Sequence, residues 1–256
     1  MPRPKITFDS NAVTIYGEGA RRGPMIVTCE HASARVPHPL RTNAHDRPWL
    51  KTHWGYDIGA ATVAREIIRQ SGSAGVFARF SRLVCDPNRS TDHPDWIRRS
   101  VEGHPLTFNR RLDANECKRR RSSYYEPYHD AVDRILDERL KCGGDVLLLS
   151  VHSFTPVLGN ERRDMEIGVL FDRYAAVATR LAELLRDEDF KTELNQPYSG
   201  MAGMMFAANR HGSAHNVVYL ETEVRQDLTD TAPKARAVGK RFASALERLT
   251  VRLRSR

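Results

Sequence analysis

The chain has 256 residues, of which 40% are hydrophobic and 28% are charged, and this balance is typical of a soluble globular protein. Its net charge of +8 would suit a nucleic-acid-binding surface, but the basic residues show neither zinc-finger spacing nor the aromatic-plus-basic pattern of RNA-binding modules. We therefore expect no nucleic-acid partner, and the length is compatible with a single α/β domain over residues 1–256.

The first part of the chain predicts two strands separated by a helix. Residues 1–22 are polar and are expected to form an irregular arm. The β-rich run at 25–29 predicts a buried strand, and a second strand is predicted at 76–83. Between them, the apolar spacing of residues 56–70 predicts a helix with Asp57 at its N-cap position.

The middle of the chain predicts a long loop followed by a helix. Residues 90–116 are rich in His, Pro, Asp and Arg and have little periodicity, which is typical of a functional loop. Residues 122–141 predict an amphipathic helix that is closed by two glycines. The basic run at 118–121 is interpreted as the solvated start of this helix.

The last part of the chain alternates strands with helices. Strands are predicted at 145–151 and 167–171, a late strand opens at 217–221, and helices are predicted at 174–187 and 232–255. With the earlier elements, this alternation predicts an α/β fold: a three-layer α/β/α sandwich of the phosphorylase/hydrolase type, with a mainly parallel (mixed) sheet.

Polar residues follow four of the predicted strands. These clusters are Glu30-His31, 86–89, 152–156 and 221–225. Because ligands bind beyond the carboxyl ends of the strands in such sheets, we expect the four clusters to meet at one edge.

The residue types in these clusters indicate a metal site. Neutral imidazole and carboxylate are good zinc ligands, and a catalytic zinc keeps one position open for water. Glu221 and Glu223 would share one face of a strand, so either is a candidate general base. Arg89 and Arg225 are candidates for holding substrate carboxylates, which arginine binds through two N–H groups.

The spacing of the cysteines and the lack of long apolar runs indicate the cellular location of the protein. Cys29, Cys85, Cys117 and Cys142 form no Cys-x-x-Cys pair. The sequence shows no apolar signal region and no run near the roughly 20 apolar residues of a membrane span. We expect reduced thiols, a cytoplasmic protein and no membrane partner.

Six segments in a fixed order carry a resemblance to a known family. They are CEHASARVP (29–37), DIGA (57–60), SRLVCDPNRS (81–90), SVHSFTP (150–156), NQPYSG (195–200) and ETEVRQDL (221–228). Over about residues 25–230 the chain resembles the N-formylglutamate amidohydrolase family, which is similar to the zinc carboxypeptidase and aspartoacylase group. The resemblance implies metal-dependent removal of an N-acyl group, such as formyl, from an acidic amino acid such as glutamate.

The resemblance also implies a metal site. Glu30, His31 and His152 would bind a divalent metal ion, with Zn²⁺ as the default. Adjacent Glu30 and His31 would point in opposite directions in a continuous strand, so both can bind the metal only if the chain turns there. Asp57 is the alternative third ligand, and its competing role is the helix N-cap.

Further roles follow from the same resemblance. Asn88 and Arg89 would bind a substrate carboxylate, Glu223 would be the general base, and Arg225 would hold the substrate or the base. Tyr198, in the segment 195–200, is a candidate donor to an oxyanion unless that segment is a plain turn. His53 and Trp54 are further candidates for lining the site.

Three alternatives remain at the level of the sequence. The same site could hydrolyse another N-acyl amino acid or a small peptide. Cys29, His152 and Glu223 could form a thiol-dependent amidohydrolase. The chain could also be a non-catalytic basic binding module, for which a steep salt dependence would be diagnostic. No feature of the sequence indicates the oligomeric state.

Overall fold

The computed structural model of the chain describes residues 6–17 and 23–253. The strands are β1 (Ile6–Asp9), β2 (Val13–Tyr16), β3 (Met25–Cys29), β4 (Ala74–Ala78), β5 (Ser100–Val101), β6 (His104–Pro105), β7 (Leu147–Phe154), β8 (Val157–Leu158), β9 (Glu161–Arg162), β10 (Ile167–Leu170), β11 (Thr192–Leu194) and β12 (Val218–Arg225). The α-helices are α1 (Arg47–Leu50), α2 (Ala60–Ser71), α3 (Ala114–Arg120), α4 (Glu126–Leu140), α5 (Ala175–Asp187), α6 (Phe206–Ala214) and α7 (Ala232–Leu253).

Eight of these strands form one mixed sheet in the order β1-β2-β4-β3-β7-β12-β10-β11. At its centre β4, β3, β7 and β12 run parallel to one another. Antiparallel pairs occur where β10 meets β12 and where β1 and β2 extend the sheet beside β4. The remaining four strands form two separate hairpins, β5-β6 and β8-β9.

Helices cover both faces of the sheet, as the predicted α/β/α sandwich requires. Successive side chains of a strand point to opposite faces, so Leu147, Leu149 and Val151 of β7 enter the core formed with α2, α5 and α7. Leu148 enters the opposite core, which includes α4 and α6. By the same alternation, His152 faces the α4 and α6 side of the sheet.

The two strands that matter most for the site are β7 and β12. β7 continues to Phe154, beyond the predicted end near His152, and β12 extends from the predicted opening at 217–221 to Arg225. The two strands pair in register along their whole length. The polar residues at 152–153 and 221–223 therefore lie within paired strands, where tertiary pairing outweighs local propensity.

The prediction of an irregular amino-terminal arm is wrong in part. Residues 6–9 and 13–16 form β1 and β2, and Val13 and Ile15 are buried in the core. Because a short polar stretch separates the two strands, the apolar alternation of β2 is difficult to recognise in the sequence. The rest of the predicted arm, 1–5 and 18–22, lies outside the described residues.

The basic run at 118–121 is not the solvated start of a helix. It closes α3, and a π-helical turn at 121–125 joins α3 to α4. Arg120 is fully buried and donates to the carbonyl oxygens of Val84 and Phe108 and to Asn109 Oδ1. A buried arginine looks like a solvated one in sequence, because its acceptors come from distant parts of the chain.

Other boundaries differ more modestly from the predictions. The helix expected at 56–70 begins at Ala60, and the strand expected at 76–83 ends at Ala78. Strand β11 and helix α6 had no counterpart among the predicted elements. Within the described part of the chain, no helix has the length and apolar character needed to cross a membrane.

Candidate active site

Three buried side chains from separate elements converge at the carboxyl ends of the parallel strands. His31 follows β3, Asp57 precedes α2, and His152 is in the second half of β7. His31 Nδ1 lies 3.1 Å from His152 Nδ1, and Asp57 carboxylate oxygens lie 3.4 Å and 2.8 Å from these two nitrogens, respectively. One ligand atom from each residue lies within 4.8 Å of the others, which is compatible with a shared metal ion.

The outer nitrogen of each imidazole is held by a different carboxylate. His31 Nε2 lies 2.7 Å from Asp86 Oδ1, and His152 Nε2 lies 3.0 Å from Glu30 Oε2. A metal-binding histidine usually donates its other ring N–H to such a carboxylate, which fixes the tautomer and leaves the first nitrogen free to coordinate. The donor set of two Nδ1 atoms and one carboxylate therefore fits a divalent metal such as zinc.

Glu30 is close to this group of three but does not belong to it. Its carboxylate accepts hydrogen bonds from Tyr128 Oη at 2.7 Å and Ser150 Oγ at 2.5 Å, besides its contact with His152. Burial alone would raise the pKa of Glu30, but these hydrogen bonds and His152 lower it to about 2. The structure thus places Glu30 behind His152, not beside the two Nδ1 atoms as the sequence-based assignment required.

Asp57, and not Glu30, lies beside the two Nδ1 atoms. Its backbone N–H donates to the His31 carbonyl oxygen at 2.9 Å, and Ser153 N–H donates to Asp57 Oδ2 at 3.1 Å. Burial alone would raise the pKa of Asp57, but His31 and His152 hold it well below its usual range. The helix N-cap role is wrong, because α2 begins after Gly59, whose φ of 82° suits glycine.

Glu221 and Glu223 lie on β12, next to the histidine on β7. Glu221 pairs with Ser150 and Glu223 with His152 in the parallel register of the two strands. Burial raises the pKa of Glu221 to about 7, although His152 opposes the shift. Burial also raises the pKa of Glu223, and the negative charges of Asp57 and Glu221 raise it further.

The two glutamates differ in their hydrogen bonding. Glu221 Oε2 accepts from Asn88 Nδ2 at 3.3 Å and lies 3.7 Å from His152 Nε2. Glu223 Oε2 is buried, and no group in the described part of the chain hydrogen-bonds to it. Glu223 therefore carries a buried carboxylate oxygen that is free to form a hydrogen bond at this site.

Residues 86–89 fold around the carboxylate of Asp86. Arg82 donates to Asp86 Oδ2 through Nε at 3.1 Å and Nη2 at 2.7 Å, and Arg89 Nε lies 3.4 Å from the same oxygen. Burial alone would raise the pKa of Asp86, but Arg82 and His31 hold it well below its usual range. Asp86 thereby connects His31 to two arginines.

Asn88 is held through both its backbone and its side chain. Its backbone N–H donates to Asp86 Oδ1 at 2.9 Å, and its side-chain oxygen accepts from Ala207 N–H at 2.8 Å. Arg89 Nη1 contacts the ring of His93, its neighbour on the same loop. Asn88 and Arg89 thus face the site from a loop that is anchored to α6.

A pocket of about 210 Å³ opens onto these residues. Its lining includes most of the side chains predicted from the sequence, namely His31, Asp57, Asn88, Arg89, His152, Tyr198, Glu221 and Glu223, as well as His53 and Trp54. It also includes two arginines that sequence reasoning missed, Arg82 and Arg98. Arg82 could have been found, because it precedes Asp86 by four residues within the segment 81–90.

Tyr198 lines the pocket from a loop that packs against the sheet. Gly168 of β10 pairs with Glu223 of β12, and a Cβ at Gly168 would collide with the carbonyl oxygen of Gln196. The Arg163 guanidinium lies 5.5 Å from the centre of the Tyr198 ring, and burial raises the pKa of Tyr198. Tyr198 therefore keeps its proton at neutral pH and presents a hydroxyl donor.

Arg225 does not line the pocket, contrary to the sequence-based expectation. Its Nη1 donates to the carbonyl oxygens of Arg163, Asp164 and Met165 at distances of 3.2, 2.9 and 3.1 Å, and its Nε donates to Asp227. The loop before β10 supplies these acceptors, and it had no recognisable pattern in sequence. Arg225 therefore anchors that loop to the end of β12.

The fold and this edge of the sheet define an α/β sandwich protein with a buried histidine–carboxylate site. The family model described as N-formylglutamate amidohydrolase matches residues 23–229. The chain belongs to the N-formylglutamate amidohydrolase family.

Two solved structures are similar in fold to the chain. The gene product Atu2144 from Agrobacterium tumefaciens is 30% identical, with a TM-score of 0.84 over 96% of each chain. The N-formylglutamate amidohydrolase from Ralstonia eutropha JMP134 is 18% identical, with a TM-score of 0.76 over 96% of this chain and 99% of that one, and shares the fold. No curated protein matches the chain.

Proposed function

We propose that the protein is a metal-dependent amidohydrolase that releases an acidic amino acid, such as glutamate, from its N-formyl or another N-acyl derivative. The observation that carries the proposal is the group of His31, Asp57 and His152, buried at the floor of the pocket beside a glutamate with a free carboxylate oxygen. Family membership supports the reaction class and the substrate.

His31 Nδ1, His152 Nδ1 and the Asp57 carboxylate would hold the metal ion. Three protein ligands are the number that a catalytic zinc site uses, with one position left open. A divalent metal held there would act as a Lewis acid toward the scissile carbonyl and lower the pKa of water. Asp86 and Glu30 would keep both imidazoles oriented for this purpose.

Glu223 would transfer the protons of the reaction. Its unpartnered Oε2 can accept a proton from the attacking water and later give it to the leaving amine. A pKa raised by burial favours the second of these steps, because the protonated form must persist until the amine departs. Glu221 is the weaker candidate, since Asn88 already donates to it.

Asn88 and Arg89 would bind a carboxylate of the amino acid. The guanidinium offers two parallel N–H groups to a carboxylate, and the Asn88 amide is held in place by Ala207. Arg82 and Tyr198 would stabilise negative charge that develops on the carbonyl oxygen, because both line the pocket and both carry polar hydrogens.

The thiol-dependent alternative has less support. Cys29 packs in the core with α2 and α7, on the opposite face of the sheet from His152. Burial raises the pKa of the Cys29 thiol far above its usual range, which suppresses the nucleophilic thiolate. All four cysteines are unpaired, which is consistent with a cytoplasmic location.

The test combines metal analysis of the purified protein with a panel of N-acyl amino acids. We expect stoichiometric zinc or another divalent metal, release of formate and glutamate from N-formyl-L-glutamate, and loss of activity after chelation with recovery on adding zinc. Activity that survives chelation but disappears in Cys29→Ala would overturn the proposal in favour of the thiol mechanism.

A further inference from the structure

Arg98 lines the pocket but has no part in the reaction proposed above. It lies on the long loop between β4 and α3, and its side chain is 28% exposed. Its Nη2 donates to Asp95 Oδ2 at 2.7 Å. Within the described ranges, no protein group accepts a hydrogen bond from its Nε or Nη1. A partly buried arginine at a small polar pocket thus retains free donors.

An aromatic ring contacts this guanidinium. The guanidinium carbon of Arg98 lies 4.9 Å from the centre of the Trp54 ring, a cation–π contact. Trp54 in turn donates from Nε1 to Glu102 Oε1 at 3.1 Å. The contacts with the Trp54 ring and with Asp95 therefore orient Arg98 before any ligand binds.

The backbone that carries Arg98 is equally well fixed. Asn109 Nδ2 donates to the carbonyl oxygens of Arg98 at 2.6 Å and Leu83 at 2.8 Å. Arg120 Nη1 donates to Asn109 Oδ1 at 2.6 Å, and both side chains are completely buried. These buried hydrogen bonds hold the loop that carries Arg98 in place, and a specific binding group requires such support.

We propose that Arg98 forms the subsite for the second carboxylate of the substrate and so selects N-acyl derivatives of acidic amino acids. The proposal rests on the proposed function, in which Asn88 and Arg89 take the first carboxylate. A carboxylate accepts two N–H groups from one edge of a guanidinium, whereas a neutral amide forms a weaker contact with it. A site built to bind one polar group in this way discriminates strongly against analogues that lack it.

Binding of the free amino acids tests the subsite without catalysis. Isothermal titration of the zinc-loaded protein with L-glutamate and L-glutamine should show tighter binding of glutamate. In Arg98→Gln, affinity for glutamate should fall about 10- to 100-fold, the range for a charged hydrogen-bonded pair, while affinity for glutamine stays unchanged. Arg110→Gln is the matched control, because Arg110 is exposed on the same loop and does not line the pocket.

Hydrolysis provides the second measurement. The ratio of kcat/KM for N-formyl-L-glutamate to that for N-formyl-L-glutamine should fall toward one in Arg98→Gln. Arg98→Lys should retain part of the wild-type ratio. Equal binding of glutamate and glutamine by the wild type, or an unchanged ratio in Arg98→Gln, would overturn the subsite. Preferential glutamate binding without turnover of N-formylglutamate would instead overturn the proposed function and leave the subsite standing.

Discussion

Glu30 Oε2 and His152 Nε2 lie 3.0 Å apart, so Glu30 holds the outer nitrogen of this imidazole and leaves Nδ1 directed toward Asp57. Tyr128 and Ser150 both donate to the same carboxylate. In the proposed metal site Glu30 would therefore orient His152, although the resemblance in sequence implied that Glu30 is itself a ligand.

Glu30→Gln should therefore weaken metal binding without abolishing it. Loss of a partner that orients a metal-binding histidine typically costs about 10- to 100-fold in metal affinity. Competition with a chromophoric chelator measures this change, and the variant should still bind one metal ion at saturation. Asp133→Asn is the control, because Asp133 contacts His211 in a similar pair outside the pocket.

Asp57→Ala should behave differently from Glu30→Gln. It removes one of the three groups that face the metal position, so we expect loss of stoichiometric metal as well as activity. Retention of the metal in Asp57→Ala together with its complete loss in Glu30→Gln would restore Glu30 as the third ligand and contradict the geometry described above.

His152→Ala should remove both bound metal and activity, because His152 Nδ1 lies at the centre of the group of three. Metal content by atomic emission and turnover of N-formyl-L-glutamate are the two measurements. His45→Ala, which alters an exposed histidine away from the pocket, should match the wild type in both. Full stoichiometric metal in His152→Ala would show that the site is wrongly assigned.

Glu223→Gln and Glu221→Gln form a matched pair that identifies the base. Loss of a general acid–base residue lowers kcat by about 100- to 10,000-fold, and we expect this effect in Glu223→Gln. Glu221→Gln should be milder, since Gln can still accept a hydrogen bond from Asn88. Both variants should retain the metal, and a larger loss of kcat in Glu221→Gln would reverse the assignment.

Arg89→Ala should mainly raise KM for N-formyl-L-glutamate if Arg89 binds the substrate and the transition state equally well. Steady-state kinetics at saturating and limiting substrate separate KM from kcat. Arg121→Ala, which changes an exposed arginine on the π-helical turn, provides the control. Unchanged kinetics in Arg89→Ala would remove Arg89 from the substrate site.

His129 predicts a pH dependence of stability away from the pocket. Burial lowers the pKa of His129 well below its usual range, and His211 and Arg210 lower it further. The unfolded chain takes up this proton near pH 6.5, so the free energy of unfolding should fall as the pH drops below about 6.5. The slope is at most about 1.4 kcal/mol per pH unit for one proton.

Urea unfolding between pH 5 and pH 8 measures this slope. His129→Asn removes the titrating group while its amide can still donate to His211 Nε2, so its stability should depend less on pH than that of the wild type. Identical slopes in wild type and His129→Asn would mean that His129 does not titrate as described.

The sequence alone determined the fold class and most of the side chains at the pocket. Strand and helix periodicities are local patterns, so they fixed the alternation of elements and the sandwich architecture. Because the carboxyl ends of parallel strands meet, the same patterns also brought His31, His152 and Glu223 to one edge. The six motifs added the family, which no periodicity contains.

Only the tertiary structure decided which carboxylate lies beside the two Nδ1 atoms. Glu30 and His152 are 122 residues apart in sequence, and Asp57 is 95 residues from His152. For the same reason the sequence did not reveal the burial of Arg120 or the position of Arg225, because their acceptors include backbone carbonyl groups that have no signature in sequence. Buried polar side chains are positioned by partners from distant segments, and those partners become neighbours only when the chain folds.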